Sequence, residues 1–148
     1  MIYIGADHGG FTQKEKLIEY LRGRGYKIED MGTDSEEPVD YPLIAARAAK
    51  KMLEDPNNRG ILLCRNGAGM CIAANKIKGV RAAQAWSADI ARTARSDDNA
   101  NILCLAADFM SPEEAQEVAQ KFLDTSFAGH ERYKRRINQI EQIEKGII

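Results

Sequence analysis

A chain of 148 residues can bury a substantial core as one unit, and residues 1–148 read as a single domain. Its 21 basic and 22 acidic side chains leave a formal charge of −1, which excludes a protein that binds nucleic acid or a membrane surface through bulk charge. No run approaches the ~20 apolar residues of a bilayer span. The opening MIYIGADHGG has no basic segment ahead of an apolar one, so no secretory signal is expected and the chain reads as cytoplasmic. The three cysteines, Cys64, Cys71 and Cys104, lack framework or CxxC spacing, which points to free thiols in a reducing compartment.

Taken in chain order, MIYIGA (1–6) reads as a first strand. Residues 11–24 then bring Phe11, Leu17, Ile18 and Leu21 to one helical face, and Gly25 ends that helix. YKIEDMG (26–32) is a short second strand, followed by the polar turn TDSEEPVDYP. Pro42 suits a first helical position, with the helix running to about Leu53. GILLC (60–64) is a buried third strand and GMCIAANKI a short helix. GVRAAQAW (79–86) forms the fourth strand, 87–96 the next helix, and ANILCLAA (100–107) the fifth strand. Ser111-Pro112-Glu113-Glu114 is a capping box opening a helix to about Leu123. The last helix, about 131–145, carries Ile137, Ile140 and Ile143 among many charges. So narrow an apolar stripe fits either docking on a partner subunit or a surface helix on its own domain.

Five strands alternating with helices predict an α/β fold: a three-layer, Rossmann-like sandwich with a five-stranded parallel sheet, expected in the order 2-1-3-4-5. Ligands of such sheets bind beyond the carboxyl ends of strands, at a switch in strand order. Asp7-His8-Gly9-Gly10 after strand one and Cys64 to Gly69 (CRNGAG) after strand three occupy such ends, and in that order they are neighbours.

A cysteine facing a helix N-terminus has a physical reason to be reactive, because the dipole and the unpaired N–H groups favour thiolate. Gly67 and Gly69 allow the backbone to approach an anion or oxyanion. A core cysteine beside a plain strand-to-helix turn fits the same spacing. Lacking a third glycine, and following the third strand, the loop is not a dinucleotide fingerprint. Asp7 and His8 together suit proton handling or a hydroxyl contact. Arg132 and Arg136 share a helical face and suit either a phosphate clamp or a solvated basic surface. Tyr41 offers a hydroxyl, and Asp97-Asp98-Asn99 offers either a sugar-binding turn or a polar helix end.

Together these segments resemble the ribose-5-phosphate isomerase type B family, which includes the galactose-6-phosphate isomerase subunits. The resemblance spans nearly the whole chain, through GADHGGF, GTDSEEPVDYP, GILLCRNGAGMCIAANKIKGVRAA, NANIL and GHERYKRRINQIEQIE. It implies a cofactor-free aldose–ketose isomerisation of a phosphosugar, with Cys64 as the general base that generates an enediolate. It further implies that Gly67 and Gly69 belong to the loop, here 65–69, that holds the oxyanion, and that Asp7 and His8 contact the substrate near its ring oxygen. Arg132 and Arg136 match arginines that reach the phosphate across a dimer interface, so a homodimer or tetramer with shared sites is expected.

The chain departs from the family pattern where Gly then Thr or Ser is usual after the cysteine: it has Arg65 and Asn66. The His-Asn whose histidine is assigned to ring opening is Asp97-Asp98, and Gly-x-Arg further on is Ala106-Ala107-Asp108. Arg65 is expected to compensate the charge lost at Asp108. The expected catalytic residues are thus Cys64, Asn66 and Asp97. Asp7, His8, Tyr41, Arg65, Gly67, Ala68, Gly69, Asp98, Arg132 and Arg136 are expected around the substrate, with no metal and no cofactor. The alternative is a non-catalytic sugar-phosphate sensor on the same fold, from which Asn66 and Asp97-Asp98 are the separating features.

Overall fold

A computed structural model describes residues 1–148. The elements run β1 (Ile2–Ala6), α1 (Phe11–Gly23), β2 (Ile28–Asp30), α2 (Tyr41–Met52), β3 (Arg59–Cys64), α3 (Ala68–Asn75), β4 (Ala82–Gln84), α4 (Ala88–Ser96), β5 (Ile102–Ala106), a 3-10 turn (Ala107–Phe109), α5 (Pro112–Asp124) and α6 (Glu131–Glu144). All five strands pair in parallel in one sheet.

The sheet order is 2-1-3-5-4, which corrects the expected 2-1-3-4-5. Burial explains the exchange. Every residue of β5 (ILCLA) is buried, whereas the three residues of β4 (AAQ) are only half-buried. The longer apolar strand takes the position covered on both faces, and the short one the edge. β4 is also shorter than the sequence pattern suggests, because Arg81 N donates to the Asn101 side chain at 2.8 Å and the strand ladder starts only at Ala82.

Right-handed crossovers sort the helices by the direction of each step across the sheet. The steps β1 to β2 and β4 to β5 run one way, and α1 and α4, joined by α5, cover one face through Leu17, Leu21, Ala91, Val118 and Phe122. The steps β2 to β3 and β3 to β4 run the other way, and α2 and α3 cover the opposite face through Ile44, Ala48, Met52, Met70 and Ala74. The direction therefore reverses between β1 and β3, and a crevice opens beyond their carboxyl ends.

Local chemistry sets the helix ends. Ser111 Oγ accepts from Glu114 N at 3.1 Å while the Glu114 carboxylate accepts from Ser111 N at 2.8 Å, the reciprocal cap expected from the sequence. In α1 the buried face includes Lys14, which the apolar pattern does not announce. Its ammonium is fully buried and meets Asp30 at 2.5 Å and Glu15 at 2.9 Å, tying α1 to the end of β2. By contrast, α6 buries none of its residues, and Glu144 anchors its far end by accepting from Gly79 N at 3.0 Å. No helix is long and apolar enough to cross a membrane.

Candidate active site

Cys64 is the last residue of β3 and is 5% exposed. Its thiol donates to Asn66 Oδ1 at 3.9 Å, and the same oxygen accepts from Ala68 N, the first residue of α3, at 3.0 Å. Gly69 and Met70 follow within the first turn, where no preceding helical carbonyl is available to their N–H groups. The thiol thus sits beside the positive end of α3, the setting that favours a neighbouring oxyanion.

The turn between them demands glycine. Gly67 has φ 74°, and a Cβ there would stand 2.9 Å from Gln84 Nε2 and 3.0 Å from the Leu105 carbonyl carbon. Gln84 Nε2 also donates to Asn66 O at 2.5 Å, so the edge strand β4 props the loop from the side. Gln84 is a site residue that sequence reading missed, since nothing in AAQ announces a contact across the intervening β5. A Cβ at Gly69 would lie 2.8 Å from Tyr41 Cζ, which places the hydroxyl end of the tyrosine ring against the start of α3.

The loop after β1 lies alongside. Asp7 is buried, and its Oδ1 accepts from Gly9 N at 3.0 Å and Gly10 N at 3.2 Å, so part of the carboxylate's role is to hold the turn. His8 Nδ1 accepts from Val39 N at 3.2 Å, which leaves Nε2 as the protonated nitrogen of the neutral ring. Asp7 and His8 therefore turn to different partners rather than to each other. A cavity of about 490 Å³ opens between Asp7, His8, Asp40, Tyr41 and Leu43. A larger groove of about 790 Å³ lies between α4 and α5, lined by Trp86, Asp89 and Glu117, away from the cysteine loop.

Arg65 and Asp108 meet beyond the adjacent carboxyl ends of β3 and β5. Arg65 Nη1 lies 3.5 Å from Asp108 Oδ2, and Asp108 N donates to Arg65 O at 2.9 Å.

The remaining expected residues gather elsewhere. Because α4 returns from the carboxyl end of β4 to the amino end of β5, Asp97 and Asp98 sit at the opposite edge of the sheet from Cys64. The two edges are separated by roughly the length of a six-residue strand, ~20 Å. Ser96 Oγ donates to Asp97 Oδ1 at 2.5 Å. Burial and the neighbouring Asp97 push the Asp98 carboxyl up, against the pull of Arg136. Arg132 lies over the Tyr133 ring at 4.8 Å and donates to its hydroxyl at 2.9 Å. Asp7, His8, Tyr41, Arg65 to Gly69 and Cys64 thus form one cluster, while Asp97, Asp98, Arg132 and Arg136 form another.

Behind the loop lie the other two thiols, Cys71 and Cys104. Hydrogen bonding from the Cys104 thiol pulls half-buried Cys71 down to about 7, and the same contact together with complete burial pushes Cys104 up. Asn75 Nδ2 donates to Cys71 Sγ at 3.7 Å.

A family described as Ribose/Galactose Isomerase matches residues 2–140. A probable ribose-5-phosphate isomerase B of Mycoplasma pneumoniae is 39% identical over 145 residues, covering 97% of this chain and 95% of its own. A D-erythrulose-4-phosphate isomerase of Pectobacterium atrosepticum is 39% identical over 130 residues, covering 86% of this chain and 85% of its own. The solved ribose 5-phosphate isomerase of Thermotoga maritima superposes with a TM-score of 0.92 at 46% identity, over 95% of this chain and 97% of that one. Ribose-5-phosphate isomerase B of Mycoplasma genitalium, solved with bound ribulose-5-phosphate, gives a TM-score of 0.92 at 39% identity, over 97% and 95% of the two chains.

Proposed function

Since the chain belongs to the ribose/galactose isomerase family, we propose that it interconverts an aldose phosphate and a ketose phosphate without a cofactor, with Cys64 as the general base. The Cys64 thiolate takes the proton from C2 of the open-chain aldose. The electron pair left behind forms the C1–C2 double bond, and negative charge develops on O1. N–H groups of the first turn of α3 meet that oxygen, where a preorganised donor acts most strongly. The thiol then returns a proton to C1 while the O2 proton passes to O1, leaving a ketone at C2. Atoms balance without an added oxidant or metal.

In this reading Asn66 keeps the thiol and the α3 N-terminus in register rather than shuttling protons, since an amide is a poor proton carrier. Asp7 and His8 face the sugar from the β1 loop. Ring opening falls to Asp97, a substrate contact to Asp98, and the phosphate to Arg132 and Arg136. These four lie a strand length from Cys64 within one chain, so a second copy supplies them and the site is shared between subunits.

The observation that carries the proposal is the Cys64 thiol beside the first turn of α3, in a chain aligned with the isomerases over 97% of its length. The test is turnover of four-, five- and six-carbon phosphosugars, with ribose 5-phosphate first. Conversion to the ketose without added cofactor is expected. Ligand-induced thermal stabilisation with no conversion of any of them would instead make the protein a sugar-phosphate binder.

A further inference from the structure

Resting on the isomerase reading, we propose that Arg65 is the cation by which the Cys64-bearing subunit reads the phosphoryl group of its substrate, and that Asp108 is its counter-ion while the site is empty. Arg65 directly follows the base. Its arm crosses the β1 loop: a Cβ at Gly9 would fall 2.4 Å from Arg65 Cγ and 3.2 Å from its Nε, so glycine is what lets the side chain lie there. At the other side Asp108 N holds Arg65 O at 2.9 Å, and the Asp108 carboxylate meets Nη1 at 3.5 Å.

That contact engages one nitrogen of a five-donor fork, at the far limit of hydrogen bonding. The side chains are 64% and 44% exposed, so the pair is screened and weakly held. A phosphoryl group, which accepts two parallel N–H bonds from a guanidinium, is the better partner. The surrounding charge points the same way. The other formally charged side chains of the loops at this edge, Asp7, Asp34, Glu36, Glu37, Asp40 and Asp108, are all acids. Without Arg65 they would repel a phosphate dianion from the half-site that carries the base. Bound phosphate displaces Asp108 from the guanidinium, so the pair discriminates phosphorylated sugars from neutral ones.

The probes are inorganic phosphate and the phosphosugar turned over by the wild-type protein. Arg65→Ala should weaken inorganic phosphate, read as thermal stabilisation and as competitive inhibition, by about tenfold or more. KM for the phosphosugar should rise comparably while kcat falls less, and Arg65→Lys should recover part of the loss. Asp108→Asn, which removes the competing charge, should bind phosphate several-fold more tightly. Phosphate affinity and KM within twofold of wild type in Arg65→Ala would overturn the role of Arg65 while leaving the isomerase intact. Phosphate binding unchanged in Asp108→Asn would overturn the counter-ion. If the wild-type protein isomerises no phosphosugar, the isomerase reading fails, and the phosphate-induced stabilisation of the two variants still decides the role of Arg65.

Discussion

The Cys64 thiol donates to Asn66 Oδ1 at 3.9 Å, and that same oxygen caps the first N–H of α3 at 3.0 Å. One amide therefore ties the proposed base to the proposed oxyanion site. Asn66→Asp keeps the cap but sets a carboxylate against the thiol, which disfavours thiolate. The acid limb of the kcat/KM profile should move to higher pH, with activity at neutral pH reduced and partly recovered in alkali. A profile superposable on wild type would separate Asn66 from the base.

Gly67 and Gly69 should respond differently to alanine. At Gly67 the added Cβ meets the Leu105 backbone at 3.0 Å and must also adopt φ 74°, so no side-chain movement relieves it. Gly67→Ala should cost ~1–3 kcal/mol in denaturant unfolding and abolish most turnover. At Gly69 the obstacle is the Tyr41 ring, a side chain that can swing out. Gly69→Ala should therefore leave the unfolding midpoint close to wild type while raising KM.

Among the thiols, Cys71 should be the first to alkylate. Pulled down to about 7 by Cys104, it is thiolate above that pH and thiol below it, whereas Cys104 is fully buried and pushed up. The fast phase of iodoacetamide labelling should titrate with a midpoint near 7 and vanish in Cys71→Ser. Peptide mapping that finds Cys104 labelled first would contradict this assignment.

The two clusters at opposite edges of the sheet predict complementation. Cys64→Ala and the double variant Arg132→Ala/Arg136→Ala should each be inactive alone. Mixed and allowed to exchange subunits, they should recover about a quarter of wild-type activity, since half of the dimers are hybrid and each holds one intact site. No recovery after demonstrated subunit exchange would place a complete site within one chain.

Lys14 offers a test of the fold alone. Its buried ammonium meets Asp30 at 2.5 Å, and Lys14→Met leaves that partly exposed carboxylate without its cation, which should cost ~1 kcal/mol. Asp30 also accepts from Gly32 N at 2.9 Å, a bond that asparagine preserves. Lys14→Met/Asp30→Asn should thus regain much of the loss in the unfolding midpoint.

Alternation of apolar runs with helical patterns was enough to place all five strands and six helices, because most runs bury a face that their spacing announces, α6 and the edge strand β2 being the exceptions. Strand order was less legible. The positions of β4 and β5 depend on which run fills the doubly covered centre, a tertiary competition in which ILCLA outweighs AAQ. Lys14 escaped for a related reason: a long ammonium on a buried face becomes intelligible only when Asp30 from another element is beside it. The cysteine loop was readable from its glycines. Its contacts with Gln84, Tyr41 and Asp108 were not, because each comes from a segment distant in sequence.

The most direct test of Cys64 as the base is isotope exchange. In deuterium oxide, wild-type protein given ribulose 5-phosphate should release ribose 5-phosphate carrying deuterium at C2. Cys64→Ala, folded with an unchanged circular dichroism spectrum, should incorporate none. Deuterium entering C2 at the wild-type rate in Cys64→Ala would contradict the account.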